Sequence, residues 1–477
     1  MGFVFRVYLS RQITTVELGI YSVAISICSI FITILTAGIP LTISRKTAEF
    51  SVDKDKASTN KFVSAGLTIA TFLCIVVVSF ILIFKNVFNL IFADFSSYTV
   101  ILTLIPYLVF SALYAPIRGF LWGKEQYAQA SIVELIEQFL KIVFCIILFN
   151  IGISNINLPA GLSMSLACGA SVAIGYIFFR RGGGRIVSPS GYIKPMVKMV
   201  APLNAIRVAG SLLMPLISIV LPLMLVGAGL SSDQALSQLG IVLGMTFPII
   251  TIPTTLVGAL AMALVPKLSI LQKENKICKL QSQIENSIAF TLFCCFMFLP
   301  VFSALGIPIC EILFNNTQAG VYLEYSAWLT LPMGLSQITT SILNSLGDEK
   351  YVFFSHAISA IFIVASIFML PKFIGIYAIL VGMGLQTGVV SILNIIKIKR
   401  KTEYKSNYTL IIKYLIVSVL LYLFATWIYP LFSIIFGSFV ALMLSGAVLT
   451  VLFVVLAYSF NLVDLDILLY KFKKNHN

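Results

Sequence analysis

Three cations stand where an apolar chain should not put them: Arg6, Lys141 and Arg207. Arg207 lies within "APLNAIRVAGSLLMPLISIVLPLMLV", residues 201–226, a stretch otherwise apolar enough to cross a bilayer. A guanidinium keeps its proton, and placing it among hydrocarbon costs several kcal/mol unless something compensates. Its planar fork of donors matches the oxygens of phosphate. On a helical wheel Asn204, Ser211 and Ser218 fall within ~60° of Arg207, with Leu212, Leu213 and Leu216 on the other side. A polar stripe of this kind faces protein or water rather than lipid, and the chemistry it suits is anion binding in a hydrated crevice. Snorkelling is the rival reading, because Arg207 is about eight residues, ~12 Å, from one end of its stretch.

Glu137 and Lys141 are four apart with the acid first, the favourable order for a helical ion pair. Two readings stand: a gate or coupling site whose protonation follows a working cycle, or a buried pair that neutralises itself, with Glu134 nearby. Arg6 is four residues from a polar loop, so it either reaches a cavity or snorkels. Arg45 and Arg118 sit at helix ends, where a cation favours the C-terminal dipole whatever its function. The eight cysteines include no C-x-x-C spacing, and His occurs only at His356 and His476. Neither a zinc nor a redox centre is expected, nor any cofactor beyond an unidentified coupling ion.

These residues need a scaffold, and the composition says which kind. The chain is 59% hydrophobic and 10% charged, against about 25% charged in a soluble domain. Thirteen stretches meet the ~20-residue requirement for a spanning helix: about 18–43, 62–84, 99–117, 131–149, 158–179, 199–226, 239–266, 288–311, 326–345, 352–370, 373–396, 411–429 and 434–458. Residues 1–9 are an apolar stump, at most ~14 Å of helix. Of the 32 Lys and Arg, 26 fall on the side that carries the C-terminus, in alternate loops or, for Lys413, in the first turn of the span beside one. The other side has only Arg11, Lys85 and Lys372. The positive-inside rule then places the C-terminus in the cytoplasm. The +14 net charge is a topology signal, and no nucleic-acid partner is expected. The outer loops offer only Glu17, Asp94, Asp233 and Glu324 as acids, too little for a glycosyltransferase or ligase site, so an enzyme is not expected.

An internal repeat adds an architecture. "LGIYSVAISICSIFITILTAGIPLTISRK" (18–46) and "LGIVLGMTFPIITIPTTLVGALAMALVPKLS" (239–269) both open Leu-Gly-Ile and end with Pro and Ser beside a cation. Six spans separate them, so they share an orientation, as in transporters built from two parallel bundles. The span before Leu239 is long, whereas its counterpart before Leu18 is the stump. The repeat therefore predicts a full first helix, with some 15–20 residues lacking ahead of Met1; a genuine half-span is the alternative. Gly and Pro within spans (Gly38, Pro40, Pro215, Pro222, Pro248, Pro253) predict helices that bend, as alternating access requires.

The opening "GFVFRVYLSRQITTVELGIYSVAISICSIFITILTAGIPLTISRKTAEF" resembles that of the stage V sporulation protein B and polysaccharide-exporter branch of the multidrug/oligosaccharidyl-lipid/polysaccharide (MOP) superfamily. "PIRGFLWGKEQYAQASIVELIEQFLKI" (116–142) and "AGLSSDQALSQLGIVLGMTFPIITIPTTLVGALAMALVPKLS" (228–269) extend the likeness. The resemblance implies an all-α polytopic membrane protein of two six-helix lobes and two further helices: 1–182, 183–400, and 401–477 with a cytoplasmic tail. It implies a flippase in a bacterial cell membrane that carries a polyprenyl-diphosphate-linked oligosaccharide, lipid II above all, for peptidoglycan or spore cortex. Membrane lipid and cell-wall synthesis proteins are the other implied partners. In the lipid II flippases, cavity arginines lie on the first helix, at the inner end of the second and on the eighth. Arg6 and Arg45 fall near the first two; "IVLGMTF" offers no third, and Arg207, one helix earlier, stands in. With Arg118, Asn204 and Ser211 these are the expected substrate-binding residues, and Glu137 and Lys141 the gating or coupling pair. The alternatives are a cation:Na⁺ or H⁺ multidrug antiporter of the same superfamily, which would want cavity carboxylates, and a non-transporting scaffold of the cell-wall machinery.

Overall fold

Backbone groups in hydrocarbon have no water to bond, so an apolar chain must satisfy them internally, and here it does so as helix. The computed structural model describes residues 2–36, 38–52, 55–86, 96–151, 157–274, 276–402 and 408–460, with no strand among them. The chain forms two compact units, Met1–Gly240 and Ile241–Asn477. Large apolar side chains stay uncovered, as on a lipid-facing surface: Phe373 is 83% and Ile434 84% exposed.

The first unit contains α1 (Gly2–Gln12), α2 (Thr15–Thr36), α3 (Ile39–Val52), α4 (Lys56–Ile83) and α5 (Ser96–Gly123). It continues through α6 (Tyr127–Asn150), α7 (Asn157–Arg181), α8 (Ile193–Ser211), α9 (Leu213–Gly227) and α10 (Ser232–Gly240). Helices α8, α9 and α10 pack against α2, with α8 also on α3 and α4. Packing thus divides the chain at Gly240, while the lobe boundary expected at residue 182 concerns the repeat, on which packing does not bear.

The Leu-Gly-Ile repeat acquires a physical meaning in this unit. Gly19 and Gly240 are 221 residues apart, as are Thr15 and Leu236. A Cβ on Gly19 would collide with the Leu236 carbonyl oxygen, and one on Gly240 with the Thr15 carbonyl oxygen. The two copies of the motif therefore cross backbone to backbone, each glycine against the repeat-equivalent residue of the other. Thr15 Oγ1 and Ser237 Oγ, 2.7 Å apart, pin the crossing.

The second unit begins with a π-helical turn, Ile241–Thr246, and a short turn, Phe247–Ile250. There follow α11 (Ile252–Lys273), α12 (Ile277–Phe314), α13 (Thr317–Ser326), α14 (Thr330–Ser345), α15 (Glu349–Met369), α16 (Tyr377–Thr402), α17 (Tyr408–Phe436) and α18 (Ser438–Ser459). A buried aromatic column docks the last two helices on α12: Phe296 stacks on Tyr414 at 5.4 Å, and Tyr414 on Phe453 at 6.0 Å.

Among the described residues, ten helices are individually long and apolar enough to span a membrane. Three of the thirteen expected spans are not among these ten, and one more is displaced. That at 131–149 is the helix α6, but carries Glu134, Glu137 and Lys141. That at 199–226 is divided at Leu212 into α8 and α9, because Pro215 has no N–H for the Ser211 carbonyl. That at 326–345 is split by a 3₁₀ turn over Ala327–Leu329, which leaves α14 with 16 residues. A fourth, 239–266, is shifted by the π turn and the break before Pro253, and α11 supplies the span. Proline alone does not decide these breaks, since α5 runs unbroken through Pro106 and Pro116.

Candidate functional site: a charged stripe and an open arginine

Helix α6 presents Glu134, Glu137 and Lys141 at spacings of three and four, hence on one face. Each finds its partner on a different helix. Glu134 Oε1 lies 3.6 Å from Arg118 Nη1 of α5. The Arg118 guanidinium sits 5.0 Å above the Trp122 ring, and its Nε is buried without a hydrogen-bond partner. One turn earlier the Tyr114 hydroxyl is buried in the same condition. The Ser171 hydroxyl of α7 donates to Glu137 Oε2 at 3.0 Å. Lys141 Nζ lies 4.5 Å from the centre of the Phe5 ring of α1, and Arg6 is close enough to act on Lys141 electrostatically. Among the described residues Glu137 and Lys141 are not within salt-bridge distance, yet each acts on the other's charge, while Glu137 is bonded to Ser171 and Lys141 lies against Phe5; both readings of the pair stand.

A second group lies on α8. Asn204 accepts a hydrogen bond from the Gly38 N–H at 2.6 Å and donates to the Ile34 carbonyl at 2.9 Å. Pro40 has no N–H for the Thr36 carbonyl, and the helix stops there before resuming at Ile39. Asn204 thus clasps the break between α2 and α3, meeting one group on each side of it. Ser218, beyond on α9, bonds Ser26 of α2 at 2.9 Å. Ser211 instead bonds the Val208 carbonyl of its own helix at 2.9 Å. Val200, Asn204 and Arg207 follow one stripe of α8. It is covered at Val200 (3% exposed), half-covered at Asn204 and open at Arg207.

The eight expected site residues therefore do not form one cluster. Arg6, Arg118, Glu137 and Lys141 share the α6 stripe; Asn204, Arg207 and Ser211 share α8; Arg45 stands exposed on α3. Sequence reasoning missed Tyr114, Trp122 and Ser171 as partners, since their role depends on which helix lies opposite. It also missed a polar network in the second unit. There Ser355 donates to Asn394 Oδ1 at 3.0 Å, Asn394 donates to Thr340 Oγ1 at 3.1 Å, and Thr340 meets His356 Nε2 at 3.2 Å. Polar residues inside α14, α15 and α16 were the available signal.

Residues 1–272 match the family model described as "Polysaccharide biosynthesis protein". The chain belongs to that family. Within reach of this polysaccharide biosynthesis member is the stage V sporulation protein B of Bacillus subtilis (strain 168), 23% identical over 343 residues. That match covers 69% of the chain and 66% of the relative, a little under two thirds of the relative's length. Among solved structures, the lipid II flippase MurJ in an inward closed conformation superposes with a TM-score of 0.69 at 14% identity, covering 97% of this chain and 98% of that one. An inward-facing multidrug resistance MATE family transporter of the MOP superfamily gives 0.71 at 14% identity, covering 84% and 94%. The fold is that of MOP-superfamily flippases and transporters, which are multi-pass membrane proteins and not enzymes.

The clasp makes a prediction for this family member. Asn204→Leu keeps the branched shape but strands the Gly38 N–H and the Ile34 carbonyl, at about 1–3 kcal/mol for each group left unsatisfied. Thermal unfolding in detergent is expected to show a clear loss of stability. Asn204→Asp, which still accepts from Gly38, should fall between Leu and the parent.

Proposed function

We propose that this chain moves a lipid-linked cell-wall precursor, undecaprenyl-diphosphate-linked lipid II, from the inner to the outer leaflet by alternating access. The observation that carries the reading is Arg207. A permanent cation stands uncovered on a helix stripe whose earlier members, Val200 and Asn204, are buried and half-covered beside the α2–α3 junction at Gly38. Among the described residues it makes no hydrogen bond or ion pair, so its charge is available for a mobile anion. The diphosphate is the costly part of such a substrate to carry through oil, and a guanidinium fork suits it. The names of the relatives support the same direction, one being a lipid II flippase and one a sporulation protein. In this reading the protein lies in the bacterial cell membrane with its C-terminus in the cytoplasm, on the strength of the positive-inside count. Arg6 and Lys141 extend the positive path, while Arg118, Arg45, Asn204 and Ser211 position the head group or the helices around it.

A second reading has one observation in its favour. Glu137 is half-buried and bonded to Ser171, an arrangement that a cation or proton antiporter would use for coupling.

Complementation separates the two. The chain is expressed in a bacterium depleted of its own lipid II flippase, and lipid II is assayed on the outer leaflet. Rescue of growth with restored outer-leaflet lipid II is expected. Absence of rescue despite normal membrane insertion would overturn the lipid II assignment. Cation-driven drug efflux that Glu137→Gln abolishes would establish the antiporter instead.

A further inference from the structure

Away from α6 and the open arginine, the first unit carries a basin that neither group uses. It is a cavity of about 640 Å³ whose lining includes Lys56, Lys61, Arg180 and Arg185. The first two open α4; the last two end α7 and begin the segment after it. Among the described residues no carboxylate lies within ion-pair distance of any of them. Asp55, next in the chain, is occupied as the helix cap, accepting from the Ser58 N–H at 2.9 Å. Lys56 and Lys61 moreover sit at the end of a helix whose dipole disfavours a cation. Four positive charges around one cavity, with only the Asp55 carboxylate among the described residues acting on one of them, Lys61, are an arrangement that an anion stabilises.

The basin is built rather than incidental. The Arg185 N–H donates to Asn60 Oδ1 at 3.0 Å, and the Val187 N–H to Ser64 Oγ at 2.9 Å. The Tyr192 hydroxyl donates to Ser58 Oγ at 2.8 Å. These bonds lay the segment after α7 along α4 and put Arg185 on the same cavity as the two lysines. Asn60 and Ser64 are buried, so the frame is fixed from beneath.

Farther along α4, beyond the point where the Val187 N–H bonds Ser64, the helix borders an apolar trough. One cavity of about 360 Å³ lies among Leu67, Ile117, Tyr176 and Phe179. A second, of about 330 Å³, lies among Ile75, Ser79 and Val109. Leu113 of α5 lines both. From Leu67 to Ser79 the helix rises ~18 Å, against ~15 Å for one leaflet, half of a 30 Å hydrocarbon core. Basic pockets of this sort at the cytoplasmic face hold anionic head groups.

From this juxtaposition we infer a binding site for an anionic glycerophospholipid of the inner leaflet. Its phosphate lies among Lys56, Lys61, Arg180 and Arg185, and one acyl chain lies in the trough between α4 and α5. The site goes beyond the transported substrate and uses none of the residues assigned to it.

The test uses the full chain in neutral detergent, with bound lipid read by native mass spectrometry. Phosphatidylglycerol is expected to bind at least fivefold more tightly than phosphatidylcholine of the same acyl length. Lys61→Gln with Arg185→Gln removes that preference; Lys56→Gln with Arg180→Gln does the same and serves if the first pair fails to fold. Leu113→Trp fills the trough without touching a charge and weakens binding by a similar factor. Equal binding of the two lipids, or a preference that survives the charge changes, overturns the site. Complete competition by inorganic phosphate would assign the basin to a free anion, and complete competition by equimolar polyprenyl phosphate would assign the trough to the substrate's own chain. Either result overturns the phospholipid assignment.

Discussion

Arg207→Ala is expected to lower lipid II transport at least tenfold and to abolish rescue of a flippase-depleted cell, while Arg207→Lys keeps part of both. A hydrogen bond to a charged group contributes about 1.5–3 kcal/mol, which corresponds to roughly ten- to 150-fold in affinity or rate. Lysine keeps the charge but loses the bidentate fork, hence the intermediate result. Because Arg207 makes no polar contact among the described residues and is exposed, its removal should leave the unfolding midpoint in detergent unchanged. That separates a transport role from a structural one. Full activity of Arg207→Ala would reduce this side chain to a snorkelling cation.

The largest expected loss of stability comes from Gly19→Ala. The new methyl group would meet the Leu236 carbonyl oxygen, and backbone cannot step aside by changing a rotamer. Overpacking a well-filled site costs about 1–3 kcal/mol, occasionally more. Here α2 and α10 must part, and the Thr15–Ser237 hydrogen bond goes with them. A fall of several degrees in the unfolding midpoint is expected, with similar behaviour for Gly240→Ala, whose methyl group would lie 2.5 Å from the Gly19 nitrogen. Gly446→Ala in α18 is the control. Nothing lies within 4 Å of its added carbon, and alanine is the better helix former by up to about 1 kcal/mol. An unchanged midpoint for Gly19→Ala would mean that the crossing is looser than described.

Much of this was legible in the amino-acid order. Apolar run length located ten spans, and the charge on α6 was visible as Glu134, Glu137 and Lys141. The Leu-Gly-Ile repeat was visible too, but only as a signature of two halves. That the two glycines touch each other required three dimensions, because sequence similarity carries no information about proximity. Asn204 shows the same limit. The helical wheel put it beside Arg207 as a polar companion, and could not show that it also bonds the Gly38 N–H and the Ile34 carbonyl, more than 160 residues earlier in the chain. Periodicity reports which face a side chain occupies and is silent on what lies opposite. The Glu137–Lys141 spacing shows the same limit: it put the two charges on one face, but not Ser171 and Phe5, which approach them from other helices.

The crossing of Gly19 and Gly240 also bears on biogenesis. Ribosomes add about 5–20 residues per second, so the 221 residues between the two glycines take some 10–45 s to emerge. Throughout that interval α2 is already inserted with a bare glycine face and an unclaimed Thr15 hydroxyl, and lipid or an insertion factor must shelter it. Completion of the first unit waits on its last helix, which makes ribosome pausing before α10 a lever on yield that leaves the finished fold unchanged.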